Sequence, residues 1–288
     1  MENSNYCIIY NPLSSNGKGE APAKALCEQL GNVELVDMTK LESYKDFFAS
    51  HKENIIICGG DGTLNRFLND TADIEFDNSI YYYASGTGND FLRDIDGKIG
   101  DIINIDKHIK NLPVCTINGE DHKFINGIGY GIAGYCCEVG DKLRQESDKP
   151  INYAGIAIKG VLGKYKPTNA KITVDGVEYN FKKVWTAPVM IGKFYGGGIM
   201  PVPAQDRFNE EGNLSVMIFH GTGRLRTLII FPSMFKGEHI KYKNACTILS
   251  GKEITVEYDE PRALQVDGET FLGITKHTAR AASVVKVK

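Results

Sequence analysis

Hydrophobic and polar positions divide the chain into two textures. In the first, short unbroken apolar runs alternate with amphipathic stretches. Tyr6-Cys7-Ile8-Ile9-Tyr10 is one such run, ended by Asn11-Pro12. Asn54-Ile55-Ile56-Ile57-Cys58 and Ile80-Tyr81-Tyr82-Tyr83-Ala84 are two more, and Val33 to Val36 is a shorter one. Runs without alternation suit strands buried on both faces. Between them, Pro22 stands where a helix can begin and Ala23 to Leu30 are good helix formers. Leu41, Tyr44, Phe47 and Phe48 have helical spacing, as do Leu64, Phe67 and Leu68 after Gly62-Thr63. The β-α-β-α-β-α-β order predicts a mostly parallel sheet with flanking helices on both faces.

After about Leu112 the texture changes to hairpins. Asn118-Gly119, Asp175-Gly176 and Asp267-Gly268 each sit between β-formers, as two-residue hairpin turns require. Cys246 to Tyr258 predicts another hairpin, around Ser250-Gly251-Lys252. Helices are expected near Tyr153 to Leu162 and Leu225 to Lys236. This half reads as an antiparallel sandwich or barrel. The domains are placed at 1–112 and 113–276, with residues 277–288 open to completing the first.

Composition narrows the classes. The 288 residues are 42% hydrophobic, enough for sizeable cores, and net charge is only −3. No run of Lys or Arg suggests a nucleic-acid binder or a polybasic anchor. The start, Met1-Glu2-Asn3-Ser4-Asn5, lacks signal-peptide character. The apolar stretch Leu225 to Phe235 is too short to span a bilayer and contains Pro232. Seven cysteines form no CxxC pair, so reduced thiols in a cytoplasmic protein are expected.

The chemistry gathers in loops that come after the apolar runs. Gly59-Gly60-Asp61-Gly62-Thr63 lies between a predicted strand and a predicted helix. Glycines there let a backbone approach a bulky anion, and the helix N-terminus favours phosphate. Asp61 would then bind Mg²⁺ or take a proton. A tight turn with a capping Asp or Thr explains the same residues. Ser85-Gly86-Thr87-Gly88-Asn89-Asp90-Phe91 repeats the logic after the next run. Two such loops at carboxyl ends of parallel strands converge on one crevice. The loop from Asn11 to Gly19, with Lys18, would face it too, although it lacks P-loop spacing.

In order and spacing, the Asn11-Pro12 loop, Gly59 to Thr63 followed by Leu64-Asn65, and Gly86 to Phe91 resemble the diacylglycerol kinase and sphingosine kinase-type lipid kinase family, in its small bacterial form. The resemblance continues through Phe124 to Gly129, Gly196 to Gly198 with Pro201 to Gly212, Gly237-Glu238-His239 and Val266-Asp267-Gly268-Glu269. It implies a nucleotide-binding α/β domain, a β-sandwich domain and an active site in the cleft between them. It further implies ATP along Asn11, Thr39, Gly59, Gly60, Asp61, Gly62, Thr63, Gly86 and Thr87. Asp61 and Asp90 match acidic positions around ATP-bound Mg²⁺, and Glu269 the proton acceptor for the substrate hydroxyl. Diacylglycerol is the favoured acceptor, which points to phospholipid metabolism, and transient contact with the inner membrane face is implied as well. A homodimer is left open.

Two positions depart from the family. Cys115 stands where an aspartate is often found, and Asn209-Glu210-Glu211-Gly212 stands where a DDG helps to hold a structural Mg²⁺. Glu211 can replace the acid. A thiol is no partner for a hard cation, which weighs against the structural metal but not the ATP-bound one.

Other patterns carry less. Gly129-Tyr130-Gly131-Ile132-Ala133-Gly134 has dinucleotide-loop spacing without a βαβ unit around it. The histidines show no zinc spacing, and His239 reads as structural. An NAD kinase would share the Gly59 to Thr63 loop but not Gly86 to Phe91. A catalytically silent nucleotide-binding protein is the third alternative, motivated by the two departures.

Overall fold

The computed structural model describes residues 6–31, 33–86, 88–146 and 151–284. The chain separates into two compact units, Met1–Asn111 and Leu112–Lys288.

The first unit runs β1 (Tyr6–Tyr10), α1 (Ser14–Gly17), α2 (Glu20–Gln29), β2 (Glu34–Asp37), α3 (Tyr44–Ser50), β3 (Asn54–Gly59), α4 (Asp61–Asp70), β4 (Ile80–Ala84), α5 (Asp90–Asp94), β5 (Ile102–Asn104) and α6 (Asp106–Ile109). Among the described residues its sheet has five strands in the order β2-β1-β3-β4-β5. The first four are parallel and β5 is antiparallel to β4. The unbroken apolar runs are explained by coverage on both faces. Ile8, Tyr10, Ile56 and Cys58 pack with Ala23 and Leu26 of α2. On the other face Tyr82 meets Phe91 of α5 edge-on at 5.7 Å. Ser43 caps α3 by accepting the Asp46 N–H at 3.2 Å. The helix expected after Gly62-Thr63 begins at Asp61.

The second unit runs β6 (Val114–Ile117), β7 (Glu120–Lys123), β8 (Gly127–Tyr130), α7 (Ile132–Glu146), α8 (Tyr153–Lys159), β9 (Thr168–Val174), β10 (Val177–Val184), β11 (Val189–Met190), β12 (Leu214–Phe219), α9 (Arg224–Ile230), β13 (Cys246–Gly251), β14 (Glu253–Val266) and β15 (Glu269–Arg280). A π-helical turn, Gly160–Lys164, extends α8, and 3-10 turns at Phe231–Lys236 and Glu238–Lys241 come after α9. The strands form one antiparallel sheet, ten-stranded among the described residues. Its main path is β13-β12-β11-β8-β14-β15-β6-β7, with β9 pairing to β10 and β14. The sheet wraps a core that includes Ile128, Tyr130, Ile172, Val216, Val256 and Leu264.

Three of the four expected hairpins form, at Asn118-Gly119, Asp175-Gly176 and Asp267-Gly268, each with both turn residues at positive φ. The fourth does not. β13 pairs with β12, while β14 pairs with β9, β15 and β8. The Asp175 carboxylate accepts the Lys252 and Glu253 N–H groups at 2.9 and 2.8 Å, which directs β14 toward β9 at the point where the chain was expected to double back. Residues 277–280, expected to be available to the first domain, pair within the second sheet: Thr278, Ala279 and Arg280 lie against β6. Residues 285–288 lie outside the described set.

Candidate functional site

In the order β2-β1-β3-β4, the connection from β1 leaves in one direction and the chain then returns to the other side of β1 as β3. Open parallel sheets bind ligands outside the carboxyl ends of strands at such a switch point. The loops beginning at Asn11, Gly60 and Ser85 all leave carboxyl ends of β1, β3 and β4.

The glycines of these loops have separable reasons. A Cβ on Gly59 would stand 2.4 Å from the Thr63 side chain, and one on Gly86 would stand 2.5 Å from the Gly60 Cα. Those two are required by packing. Gly62 is different. It lies in the first turn of α4 with nothing within 4 Å of where a Cβ would point. Alanine is the better helix residue by about 1 kcal/mol, so the fold does not demand glycine there. The glycine leaves open space over the first turn of α4. The Thr63 N–H already donates to the Gly60 carbonyl at 3.0 Å, and the amino end of α4 carries the positive end of the helix dipole, which favours an anion.

Asp61 joins the two loops. Its carboxylate accepts the Asp90 N–H at 2.7 Å and the Phe91 N–H at 3.2 Å. It thereby caps α5 with charge-assisted hydrogen bonds, each worth about 1.5–3 kcal/mol. Sequence reasoning expected Asp61 near metal and phosphate and did not foresee this bridge. Asp90 is 3% exposed, and its carboxylate accepts from the Arg93 guanidinium at 3.3 Å. Asn89 adopts a left-handed φ of 49° and donates its amide to the Gly86 carbonyl at 2.7 Å. Its buried Oδ1 receives no hydrogen bond. Beneath the loops Tyr82 is fully buried, and burial, with Asp61, Cys58 and Asp90 nearby, holds its phenol well above the ordinary value. The Asp61 and Asp90 carboxylates and the Asn89 Oδ1 are oxygen acceptors, the kind of ligand atom that Mg²⁺ prefers.

Thr39, exposed after β2, donates both its N–H and its hydroxyl to the Asp37 carboxylate, at 2.9 and 2.6 Å. Burial pushes the Asp37 carboxyl up, but Thr39 and Lys40 outweigh it and the net shift is downward. Asn11 folds its own loop: its carbonyl accepts the Ser14 N–H and hydroxyl, and its Oδ1 accepts the Leu13 N–H. The expected phosphate contact Thr87 lies outside the described residues.

In the second unit, Glu269 is exposed at the start of β15, immediately after the Asp267-Gly268 turn. Asp267 fixes that turn. Its carboxylate accepts the N–H groups of Ile125, Asn126 and Gly127 at 2.6, 3.0 and 3.0 Å. Gln265 Oε1 accepts the Gly268 N–H at 2.6 Å. The turn that presents Glu269 is thus locked to the Phe124-to-Gly129 segment, and the buried Asn126 Oδ1 beside it receives no hydrogen bond. Sequence order placed both motifs in one family pattern, but only the structure shows one clamping the other.

The remaining expectations sort plainly. Glu211 is exposed and accepts the Asn213 amide at 2.5 Å. Cys115 is fully buried in the sheet core, and burial pushes its thiol well up. All seven cysteines are free thiols. His239 is buried with its Nε2 against the Pro201 carbonyl at 2.8 Å, and burial lowers its pKa. The glycines of the 129–134 motif serve packing. A Cβ on Gly134 would fall 1.9 Å from the Ala263 carbonyl, and one on Gly131 2.5 Å from that of Trp185. Among the described residues, Cys7, Glu34 and His51 come close enough to share a metal ion. They lie toward the amino ends of β1 and β2, away from the loops above. A cavity of about 480 Å³ in the second unit is bordered by Tyr135, Tyr165, Glu260 and Arg262. No expected site residue borders it.

Comparison with known proteins agrees over almost the whole chain. Residues 5–118 match the diacylglycerol kinase catalytic domain, and residues 127–285 match the YegS C-terminal NAD kinase beta sandwich-like domain. The Bacillus subtilis protein named "Putative lipid kinase YtlR" is 23% identical over 284 residues, covering 91% of this chain and 87% of its own. A diacylglycerol kinase of Mycobacterium tuberculosis is 23% identical over 255 residues, 83% of this chain and 81% of its own. A Bacillus anthracis crystal structure described as a "putative diacylglycerol kinase" superposes with a TM-score of 0.66 at 21% identity, covering 97% of this chain and 93% of that one. Among the described residues no helix is long and apolar enough to cross a membrane.

Proposed function

The chain belongs to the diacylglycerol kinase-type lipid kinase family, and from that premise we propose that it transfers the γ-phosphoryl group of ATP to a lipid hydroxyl, with diacylglycerol as the favoured acceptor. The observation that carries the ATP half of this reading is Gly62. The fold gives it no steric reason to be glycine, and it sits at a helix N-terminus beside a sheet switch point.

Phosphoryl transfer is mainly positioning and electrostatic stabilisation. In this reading the phosphates lie against Gly60, Gly62 and the N-terminus of α4, with Thr63, Gly86 and Thr87 alongside and Asn11 and Thr39 at neighbouring strand ends. Asp61 and Asp90 would stand beside the phosphates. Mg²⁺ when bound would neutralise phosphate charge there, with Asp61, Asp90 and the unpartnered Asn89 Oδ1 as its oxygen partners or those of its water. Asp61 has a second task, because one carboxylate holds both loops in register. Glu269 accepts the proton of the acceptor hydroxyl as the new P–O bond forms. Its support is the rigid turn that presents an exposed carboxylate.

The test is transfer of ³²P from ATP to diacylglycerol, monoacylglycerol, sphingosine and ceramide in mixed micelles, with NAD as a control acceptor. Labelled lipid, most of it from diacylglycerol, is expected. Label in NAD and in no lipid overturns the reading.

A further inference from the structure

The apolar stretch Leu225 to Phe235 is too short to span a bilayer, and a short helix that is apolar all round ordinarily lies inside a core. Here only one side does. Thr227, Ile230 and Met234 are buried, while Leu225 is 74% exposed, Ile229 66% and Phe235 39%, with Pro232 exposed between them. Positions 225, 229 and 232 follow helical spacing along one face. The neighbouring segment repeats the pattern. α8 and its π-helical turn bury Ile156, Ala157 and Val161 but leave Ile158 43% and Leu162 59% exposed. The two segments pack together: the Arg224 guanidinium donates to the Val161 carbonyl, and both lean on a core containing Trp185, Met217 and Phe219.

Charge says what would cover this surface. Residues 151–164 and 221–237 carry Lys159, Lys164, Arg224, Arg226 and Lys236 and no Asp or Glu, in a chain whose net charge is −3. Among the described residues none of the five is in an ion pair with a carboxylate. A second copy of the chain docking by two-fold symmetry would set these cations against their own image. An anionic surface would neutralise them.

We propose that the outer faces of α8 with its π-helical turn, and of α9 with its 3-10 continuation, dock onto an anionic phospholipid bilayer. The lipid-kinase reading supplies the reason for such contact. The exposed apolar stripes and unopposed cations supply the place. Leu225, Ile229, Leu162 and Phe235 enter the headgroup–acyl boundary, as interfacial helices do. Each cation near an anionic surface strengthens partition about fivefold at low salt.

The experiment is co-sedimentation of the full chain with vesicles of phosphatidylcholine alone and of phosphatidylcholine with phosphatidylglycerol, without nucleotide. Binding should require phosphatidylglycerol and weaken as salt rises. Leu225→Ser/Ile229→Ser and, separately, Ile158→Ser/Leu162→Ser should each weaken it about tenfold or more, at unchanged thermal unfolding. Arg226→Glu/Lys236→Glu should abolish the preference for anionic vesicles. Phosphorylation of a short-chain, water-soluble diacylglycerol should persist in every variant, while phosphorylation of diacylglycerol embedded in vesicles falls. Parent-like sedimentation of the variants, or none by the parent, overturns the docking surface. So does loss of a dimer in ultracentrifugation with vesicle binding intact. Failure of the parent on the soluble acceptor counts instead against the kinase reading, so the two are distinguishable.

Discussion

Asp175-Gly176 and Asp267-Gly268 close two hairpins of the second unit with nearly the same backbone. The φ angles are 47° and 84° in the first turn and 46° and 98° in the second. In both, the Asp carboxylate reaches sideways to gather N–H groups from another segment: Lys252 and Glu253 in one case, Ile125, Asn126 and Gly127 in the other. In both, the Asp N–H donates to a carbonyl of that same segment. The turns differ in depth and in the strand each one starts. Asp175 is exposed and Asp267 is 9% exposed. After the first turn comes Val177, 55% exposed, leading into a mostly exposed strand. After the second comes Glu269, leading into a strand with buried His277. The Asp-Gly pair is therefore a structural device used twice. On the proposed kinase reading, what separates the two turns is the next side chain and the loop that the Asp restrains.

The sharpest way to break this comparison is at the residue after each turn. Glu269→Gln should lower kcat about 10²–10⁴-fold, the usual contribution of a positioned base, with an unchanged melting temperature. Val177→Ala should leave turnover as it was. Full activity in Glu269→Gln would make the two turns equivalent. Next in size is the Asp itself. Asp267→Ala leaves three backbone donors of a buried loop without their acceptor and should cost about 3 kcal/mol in urea unfolding. Asp175→Ala, at the surface, should cost about 1 kcal/mol. Equal losses would show that depth does not matter.

The strands beyond the turns differ in pH response. Burial lowers the His277 pKa from 6.5 to about 3. The unfolded chain therefore binds a proton below about pH 6.5 that the folded chain refuses. Stability from the neutral ring is complete above that pH and falls by about 1.4 kcal/mol per unit between pH 6.5 and about 3. His277→Phe should flatten that acid limb in thermal unfolding followed from pH 7 to pH 4. The smallest effect tests likeness. Gly176→Ala and Gly268→Ala each put a side chain at positive φ with open space around the Cβ, and each should cost about 1 kcal/mol.

Much of the fold was legible in the sequence, for identifiable reasons. β1 and β3 announce themselves because both faces of a parallel sheet are covered, so their residues are apolar without alternation, and β4 is apolar throughout as well, although its Tyr81 and Tyr83 are only partly buried. The three formed hairpins carry their own turn chemistry. The 15-residue helix α7 was missed. It contains Gly134 and Gly140, poor helix residues, and Gly134 is explained only by its approach to Ala263, far away in sequence. The hairpin expected around Ser250 failed for the same kind of reason, because Asp175 holds the backbone that would have turned. Within the candidate site, the position of the Gly59 and Gly86 loops at the carboxyl ends of β3 and β4 was readable from order and spacing. The Asp61 bridge and the Asp267 clamp were not, since both join residues that sequence keeps 29 or more positions apart.

Tight contact between the Gly59 and Gly86 loops has a consequence for reading kindred chains. A side chain at Gly86 collides with the Gly60 backbone, and one at Gly59 with Thr63, whether or not a nucleotide ever arrives. A descendant that had abandoned catalysis would still need both glycines to stay folded, so their survival is a poor witness to activity. Gly62 is under no such compulsion. If the proposed phosphate contact holds, its replacement by a bulkier residue is the first change in the motif to expect in a chain that no longer binds nucleotide.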